Sequence, residues 1–364
     1  MNKTKYKLFS NEPVTLNENS LIMAIESSCD ETACAIVKGG REVIANVVAS
    51  QIKIHEEFGG VIPEIAAREH LEAINVVIDE TFKQAGVTGK DVTAFASTVG
   101  PGLVGCLLVG MNAAKTLALA YDKPFIGVNH LNAHLAANFI DTNLEPPFIA
   151  LLVSGGHTQI IKVSSFSEME IIGETIDDAV GEAYDKVARL IGLPYPGGPK
   201  LDKLAQIGNP HTFKLPEAKV GGYDFSFSGL KTALLYHARN LSPDGNAEHL
   251  EGQVLTDTLA SYQEAVVDVL CTKAFDAVKH FHCRSAILSG GVACNTPLRK
   301  RFESTVPRGV IPLIAPKKFC TDNAAMVAGL AYHYYAAGKF SDLTLDTFAR
   351  LPHITEVPFR RRSA

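Results

Sequence analysis

Two copies of one pattern constrain this chain more than any other feature in it. Near the N-terminus, Leu21-Ile22-Met23-Ala24-Ile25-Glu26 reads as a strand, residues 27–31 as a polar turn, and residues 32–37 as the returning strand. Residues 148–163 repeat it, with Ser154-Gly155-Gly156-His157 at the tip. Apolar runs of this length bounded by Gly, Ser and Asp read as β-hairpins. A second unit is shared as well, a strand running into a Gly-rich turn and a helix. It occurs at residues 94–99, Gly100-Pro101-Gly102-Leu103-Val104-Gly105 and a helix over 107–120. It recurs at residues 285–288, Ser289-Gly290-Gly291-Val292 and a helix over 295–302. The expectation is a duplicated α/β fold with ligand between its halves.

The remaining elements fill this frame. A strand is expected over 43–50, a loop over 55–60, and a long helix over 63–84 with Ile65, Leu71, Ile74, Val77, Ile78 and Phe82 inward. Helical spacing returns around 181–191, at 201–205 after a rigid Pro-rich turn at 194–199, over 255–280, and at 323–337. Residues 224–231 alternate aromatic and hydroxyl side chains, which reads as a half-buried strand packing Phe225 on Phe227, or as ligand contact. The division expected is a flexible extension at 1–20, a first half at 21–145, a second half at 146–338, and a tail at 339–364. The final helix, 320–338, is expected to pack back on the first half.

Composition enters mainly as exclusion. With 46% hydrophobic and 20% charged residues the chain is globular, and a net charge of −5 gives no global basic field. Lys317-Lys318, Arg299-Lys300-Arg301 and Arg360-Arg361-Arg362 read as solvated surface clusters. No apolar run is long enough for a membrane helix, and the N-terminus lacks a signal-peptide core. Seven cysteines without a CxxC pair fit reduced thiols in a cytoplasmic protein.

Chemistry concentrates in a few places. His130 and His134, four apart on a helix, stand on one face and can share a metal ion, with Asp322 as a distant third ligand; capping or polar histidines are the alternative. A zinc-protease helix carries Glu after its first His, and here Leu131 stands there. The Ser154-Gly155-Gly156 tip can cradle an oxyanion or phosphate through backbone N–H groups. Ser289-Gly290-Gly291 with Asn295 can grip a nucleotide. Neither is a P-loop, because no Gly-Lys-Ser/Thr follows. Asp30 and Glu31 can bind Mg²⁺, position a nucleophile, or simply make a turn. Asp185 can bond ligand hydroxyls or pair with Lys186 or Arg189.

Taken together, several stretches resemble the universal TsaD family, and its bacterial branch most closely. They are residues 25–32, 59–64, 100–103, His130 through His134, residues 152–158, 181–186, 195–199, 224–232, and Cys320-Thr321-Asp322-Asn323. The resemblance runs in order from about Met23 to about Gly338. It implies the actin-like ATPase (ASKHA) fold, two related α/β halves with a ligand cleft between them. It implies transfer of threonylcarbamoyl from threonylcarbamoyl-AMP to N6 of adenosine 37 in tRNAs reading codons that begin with A. Carried over by position, His130, His134 and Asp322 match the family's ligands for one divalent metal, Fe²⁺ or Zn²⁺. Leu152, Val153, Ser154, Gly155, Gly156, Asp185, Gly198 and Asn295 match its adenylate-contacting residues, and Asp30 and Glu31 its catalytic acidic pair. Implied partners are tRNA, a TsaB paralogue paired through the N-terminal half, with the 63–84 helix as candidate surface, and the ATPase TsaE; no membrane is implied. Metal-dependent glycoprotein endopeptidase and non-catalytic nucleotide-binding scaffold are the competing readings. Leu131 argues against the first, and the complete His130, His134 and Asp322 set against the second.

Overall fold

The computed structural model describes residues 16–166, 168–194, 196–216 and 220–351. Most of the N-terminal extension, Tyr195 in the Pro-rich turn and Arg360-Arg361-Arg362 lie outside them. The chain divides into two compact units.

The first unit opens with the expected hairpin, β1 (Leu21–Glu26) and β2 (Glu31–Lys38), followed by β3 (Glu42–Ser50). After the short helix α1 (Ile52–Glu56) come α2 (Pro63–Ala85), β4 (Ala94–Gly100), α3 (Val104–Ala120), β5 (Phe125–Asn129) and α4 (His130–Ala136). The sheet order is β3-β2-β1-β4-β5, antiparallel through β2 and β3, parallel through β4 and β5. β1 lies at its centre, so Ile22 through Ile25 are covered on both faces and no more than 1% exposed. Met23, Ile25 and Ile36 pack with Ile74 and Val77 of α2, Met111 of α3, and Phe95 and Phe125 into one core.

The second unit repeats this plan. β6 (Phe148–Val153), β7 (Thr158–Ser165) and β8 (Glu168–Glu174) form the antiparallel part. Then follow α5 (Val180–Leu190), α6 (Gly197–Ala205), α7 (Ser228–Leu241), α8 (Gly252–His280), β9 (Ser285–Ser289), α9 (Thr296–Thr305), β10 (Ile311–Ile314) and the short α10 (Lys317–Cys320). The order β8-β7-β6-β9-β10 matches the first sheet strand for strand, including the switch from antiparallel to parallel pairing. The chain then returns to the first unit with α11 (Ala324–Ala336), packed on β1 and β2.

Several local expectations need correction. Part of the 55–60 loop is helical, since α1 runs through His55, which is buried against Gln51. Leu71 is 60% exposed. The buried stripe of α2 is Ala66, His70, Ile74, Val77 and Thr81; Ile74 and Val77 are inward as expected, with Ile78 and Phe82 partly buried against the same core, and His70 takes the inward place expected of Leu71. His70 is held there with its Nδ1 2.7 Å from the Thr32 hydroxyl and its Nε2 3.0 Å from the Cys29 carbonyl. Residues 224–231 form no strand. Phe225 makes a single bridge to Thr175, and α7 begins at Ser228, although the Phe225 and Phe227 rings do stack, fully buried. α6 starts at Gly197, inside the stretch expected to be a turn. β8 was not anticipated, because its Glu-Met-Glu-Ile-Ile-Gly-Glu run is too acidic to read as a strand.

Candidate metal centre

In α/β sheets of this kind, ligands gather beyond the carboxyl ends of the parallel strands. In the first unit those ends belong to β1, β4 and β5, and they deliver Glu26, Thr98 and His130. Asn129 converts the end of β5 into the start of α4. Its side-chain oxygen accepts the N–H groups of Leu131 at 2.8 Å and Asn132 at 3.3 Å, an N-cap that fixes the helix phase. That phase puts His130 and His134 on one face, Nε2 to Nε2 3.1 Å apart. Asp322, just before the Asn323 cap of α11, places Oδ1 3.1 Å from His134 Nε2 and 3.5 Å from His130 Nε2. The three ligand atoms lie within 4.8 Å of one another. The His134 side chain is 3% exposed, His130 13% and Asp322 21%, so the group is open on the Asp322 side.

A fourth side chain, not singled out from the sequence, completes the arrangement. Glu26 is fully buried, with Oε2 3.2 Å from His130 Nδ1. The Ser28 N–H donates to Glu26 Oε1 at 2.6 Å, the Thr98 hydroxyl donates to Oε2, and the Ser28 hydroxyl lies 3.1 Å from His130 Nδ1. A carboxylate accepting from Nδ1 sets the tautomer that leaves Nε2 as ligand. The signal was available: Glu26 is the one charged residue in an otherwise apolar strand.

Electrostatics follow from this packing. Burial works against the charge on Glu26, but the adjacent His130 overrides it and holds the carboxyl below its usual range. Burial likewise opposes a charged His130, yet Asp322 and Glu26 together push it up to about 9. Burial would raise Asp322, and the two imidazoles instead bring it down to about 2. Nitrogens and a carboxylate this close need a shared cation or proton, and two imidazoles with one carboxylate suit a borderline divalent metal with further positions open. The residues present therefore fit a metal ion.

Asp30 ends the β1–β2 turn and Glu31 opens β2, with Glu31 close enough to feel the Asp322 charge. Burial, then Asp30 and Asp322, push Glu31 up to about 9, so it holds a proton at neutral pH. The Ser50 hydroxyl donates to Glu31, at 3.1 Å.

In the second unit, Leu152 and Val153 are buried in β6, leaving only their backbone for any ligand. Ser154, Gly155 and Gly156 follow at the strand's carboxyl end, beside Ser289 and Gly290 at the end of β9. Gly290 has φ +90°, and a Cβ there would lie 2.3 Å from the Val153 carbonyl oxygen, so only glycine lets the two tips meet. Gly155 and Gly156 differ: no neighbour crowds them and neither has a left-handed φ, so their missing side chains serve open space. Asp185 pairs with neither Lys186 nor Arg189. Its Oδ1 accepts the Gly197 and Gly198 N–H groups at 3.0 and 2.9 Å and so holds the start of α6. Lys186 turns instead to Asp178 and Glu182. Asn295 caps α9 through Leu298 N–H at 2.9 Å and donates to Asp202 and Gln263 at 3.1 and 2.9 Å.

Residues 42–329 match the family described as TsaD, tRNA N6-adenosine threonylcarbamoyltransferase. The chain belongs to the TsaD family. Curated relatives of that name include one from Geobacillus thermodenitrificans, 49% identical over 343 residues, covering 93% of this chain and 98% of its own. One from Clostridium perfringens is 49% identical over 90% of this chain and 97% of its own. Another, from Staphylococcus haemolyticus, is 48% identical over 91% and 96%. TsaD membership makes the protein a transferase enzyme. At the level of fold alone, the chain is similar to the crystal structure of T.kodakarensis HypF, with a TM-score of 0.62 and 16% identity over 89% of this chain and 49% of that one. No helix among the described residues is long and apolar enough to cross a membrane.

Proposed function

We propose that this protein transfers the threonylcarbamoyl group from threonylcarbamoyl-AMP to N6 of adenosine 37 in tRNAs reading codons that begin with A. The observation that carries the reading is the convergence of His130, His134 and Asp322, oriented by buried Glu26, in a chain 49% identical to named transferases of this kind. In the reaction a C–N bond forms at the carbamoyl carbon, its bond to the phosphate oxygen breaks, and N6 loses a proton. His130, His134 and Asp322 would hold one Fe²⁺ or Zn²⁺, whose chemistry is Lewis-acid polarisation of a substrate oxygen.

The chain's own groups supply the rest. Glu26 keeps His130 in the liganding tautomer. The backbone N–H groups of Gly155 and Gly156 bind the adenylate phosphate and stabilise it as it leaves, while Ser154 and Gly198, whose own N–H groups go to His157 and Asp185, line the same ligand. Asn295, through its bonds to Asp202 and Gln263, fixes the loop that meets the nucleoside. Glu31 already holds a proton, so by elimination the acceptor role in the acidic pair falls to Asp30. With a net charge of −5 the chain has little global pull on tRNA phosphates, which supports a requirement for partners, a TsaB paralogue and the ATPase TsaE. Exposed Leu71 and Val76 on α2 are the apolar contacts such a paralogue would cover. Reactions of this kind belong in the cytoplasm, where tRNA is.

The peptidase reading has no acid–base group where it needs one, because that position on α4 holds a buried leucine, Leu131. The test is a single-turnover transfer from synthetic threonylcarbamoyl-AMP to an unmodified tRNA, with the paralogue and ATPase present, read as modified nucleoside. Product above the no-enzyme control supports the reading. None, beside an active homologue, overturns it.

A further inference from the structure

Of the seven cysteines, six have sulfurs raised by burial or a neighbouring thiol, and five of them carry no further chemistry on that account. Cys34 and Cys271 are buried and pushed up to about 12, and Cys106 is pushed up to about 11, each chiefly by burial. Burial also raises Cys29 and Cys283. Cys294 is different. It ends the 3-10 turn Gly291–Cys294, partly exposed, and packs on α10, whose last residue is Cys320. The two thiols are neighbours, close enough to influence each other's ionisation. Both sulfurs rest on the same turn, Cys294 Sγ 3.8 Å from the Lys317 carbonyl, Cys320 Sγ 3.3 Å from that of Ala315 and 3.6 Å from that of Pro316. The Arg299 guanidinium donates to Ala293 and Ala315 carbonyls at 3.1 Å each and lies 3.8 Å from Cys320 Sγ, tying the two segments together.

We propose that Cys294 and Cys320 are a redox site, a vicinal dithiol that a peroxide converts to an intramolecular disulfide. Cys294 is the partly exposed sulfur of the two, and the Arg299 guanidinium and Lys317 beside it favour its thiolate, so it is the one a peroxide meets first. The Cys294 thiolate attacks one peroxide oxygen; an S–O bond forms, the O–O bond breaks, and the departing oxygen leaves as water after protonation. Cys320 sulfur then attacks Cys294 sulfur, the S–S bond forms, and the hydroxyl leaves with the Cys320 proton as a second water. Two thiols are oxidised and one hydrogen peroxide is reduced to two waters. The crosslink fastens α10 to the residue preceding Asn295, a segment already braced at Asp202 and Gln263.

The test is peptide mapping of the full-length protein after brief hydrogen peroxide treatment and alkylation in denaturant. Free thiols are expected to fall from seven to five, with one new linkage joining tryptic peptides 285–299 and 319–339, reversed by dithiothreitol. Cys294→Ala should keep its remaining thiols, oxidising at least about tenfold more slowly. Cys320→Ser should halt at a sulfenic acid on residue 294, trapped by dimedone. A sulfinic or sulfonic acid at Cys294 without the linkage, a linkage among other cysteines, or equal thiol loss in Cys294→Ala would overturn the proposal.

Discussion

Glu26 Oε2 lies 3.2 Å from His130 Nδ1, in a pocket where the Glu26 side chain has no exposure at all. A carboxylate is placed in such an interior only if something repays its desolvation, and here an imidazole and two hydroxyl or amide donors do so. Glu26→Gln keeps the shape and removes the charge. Partners of this kind typically contribute ten- to a hundredfold in metal affinity. The variant should therefore bind Zn²⁺ about ten- to a hundredfold more weakly in a competition titration with a chromophoric chelator. Unchanged affinity would make Glu26 a packing residue only.

Glu31 and Asp30 should separate cleanly. Because Glu31 is raised to about 9, it is neutral at pH 7, and Glu31→Gln reproduces that state. Transfer activity at pH 7 should fall less than about threefold in Glu31→Gln and by at least about a hundredfold in Asp30→Asn, within the usual range for losing an acid–base group. Equal losses would contradict the division of roles.

The same shift has a stability consequence. The folded state binds a proton at Glu31 that the unfolded chain releases near 4.5, so between about 4.5 and 9 the group favours folding less as pH rises. Glu31→Gln should raise the melting temperature more at pH 8.5 than at pH 5. A difference independent of pH would show that the carboxyl is ionised in the folded protein.

His333 on α11 runs the other way. Burial, with Arg41 nearby, lowers it from 6.5 to about 4, and its ring meets Phe139 edge-on. The unfolded chain takes up a proton near 6.5 that the folded one refuses until about 4, so stability is lost as pH falls through that window. The shift corresponds to about 3 kcal/mol by pH 4. Urea unfolding of His333→Phe from pH 7 to 4 should show a shallower decline than wild type by that order. Parallel curves would refute the assignment.

Much of this was legible because the repeated hairpin and strand–Gly–helix units are carried by apolar periodicity, which both sheets preserve strand for strand. His130 and His134 were legible because helix phase is regular over four residues, whereas Asp322, at the start of a distant helix, was legible only as an acid at a helix start and through the resemblance to the TsaD family. Less legible were features decided by tertiary partners. The α2 stripe is centred on His70 rather than Leu71 because Thr32 and the Cys29 carbonyl receive that ring, and nothing local to the helix encodes them. Asp185 faces the Gly197 and Gly198 amides and not the lysine beside it, since a chain reversal twelve residues on brings those donors to it. Glu26 was visible as a charge in an apolar strand, but its role needed the end of β5 beside it.

The most direct test measures metal content and adenosine 37 modification together, in wild type and in His130→Ala/His134→Ala, with the paralogue, the ATPase and threonylcarbamoyl-AMP supplied. The expected result is one metal ion per wild-type chain with modified tRNA, and neither in a double variant that stays folded. A double variant that lacks metal yet modifies tRNA at the wild-type rate would contradict the account.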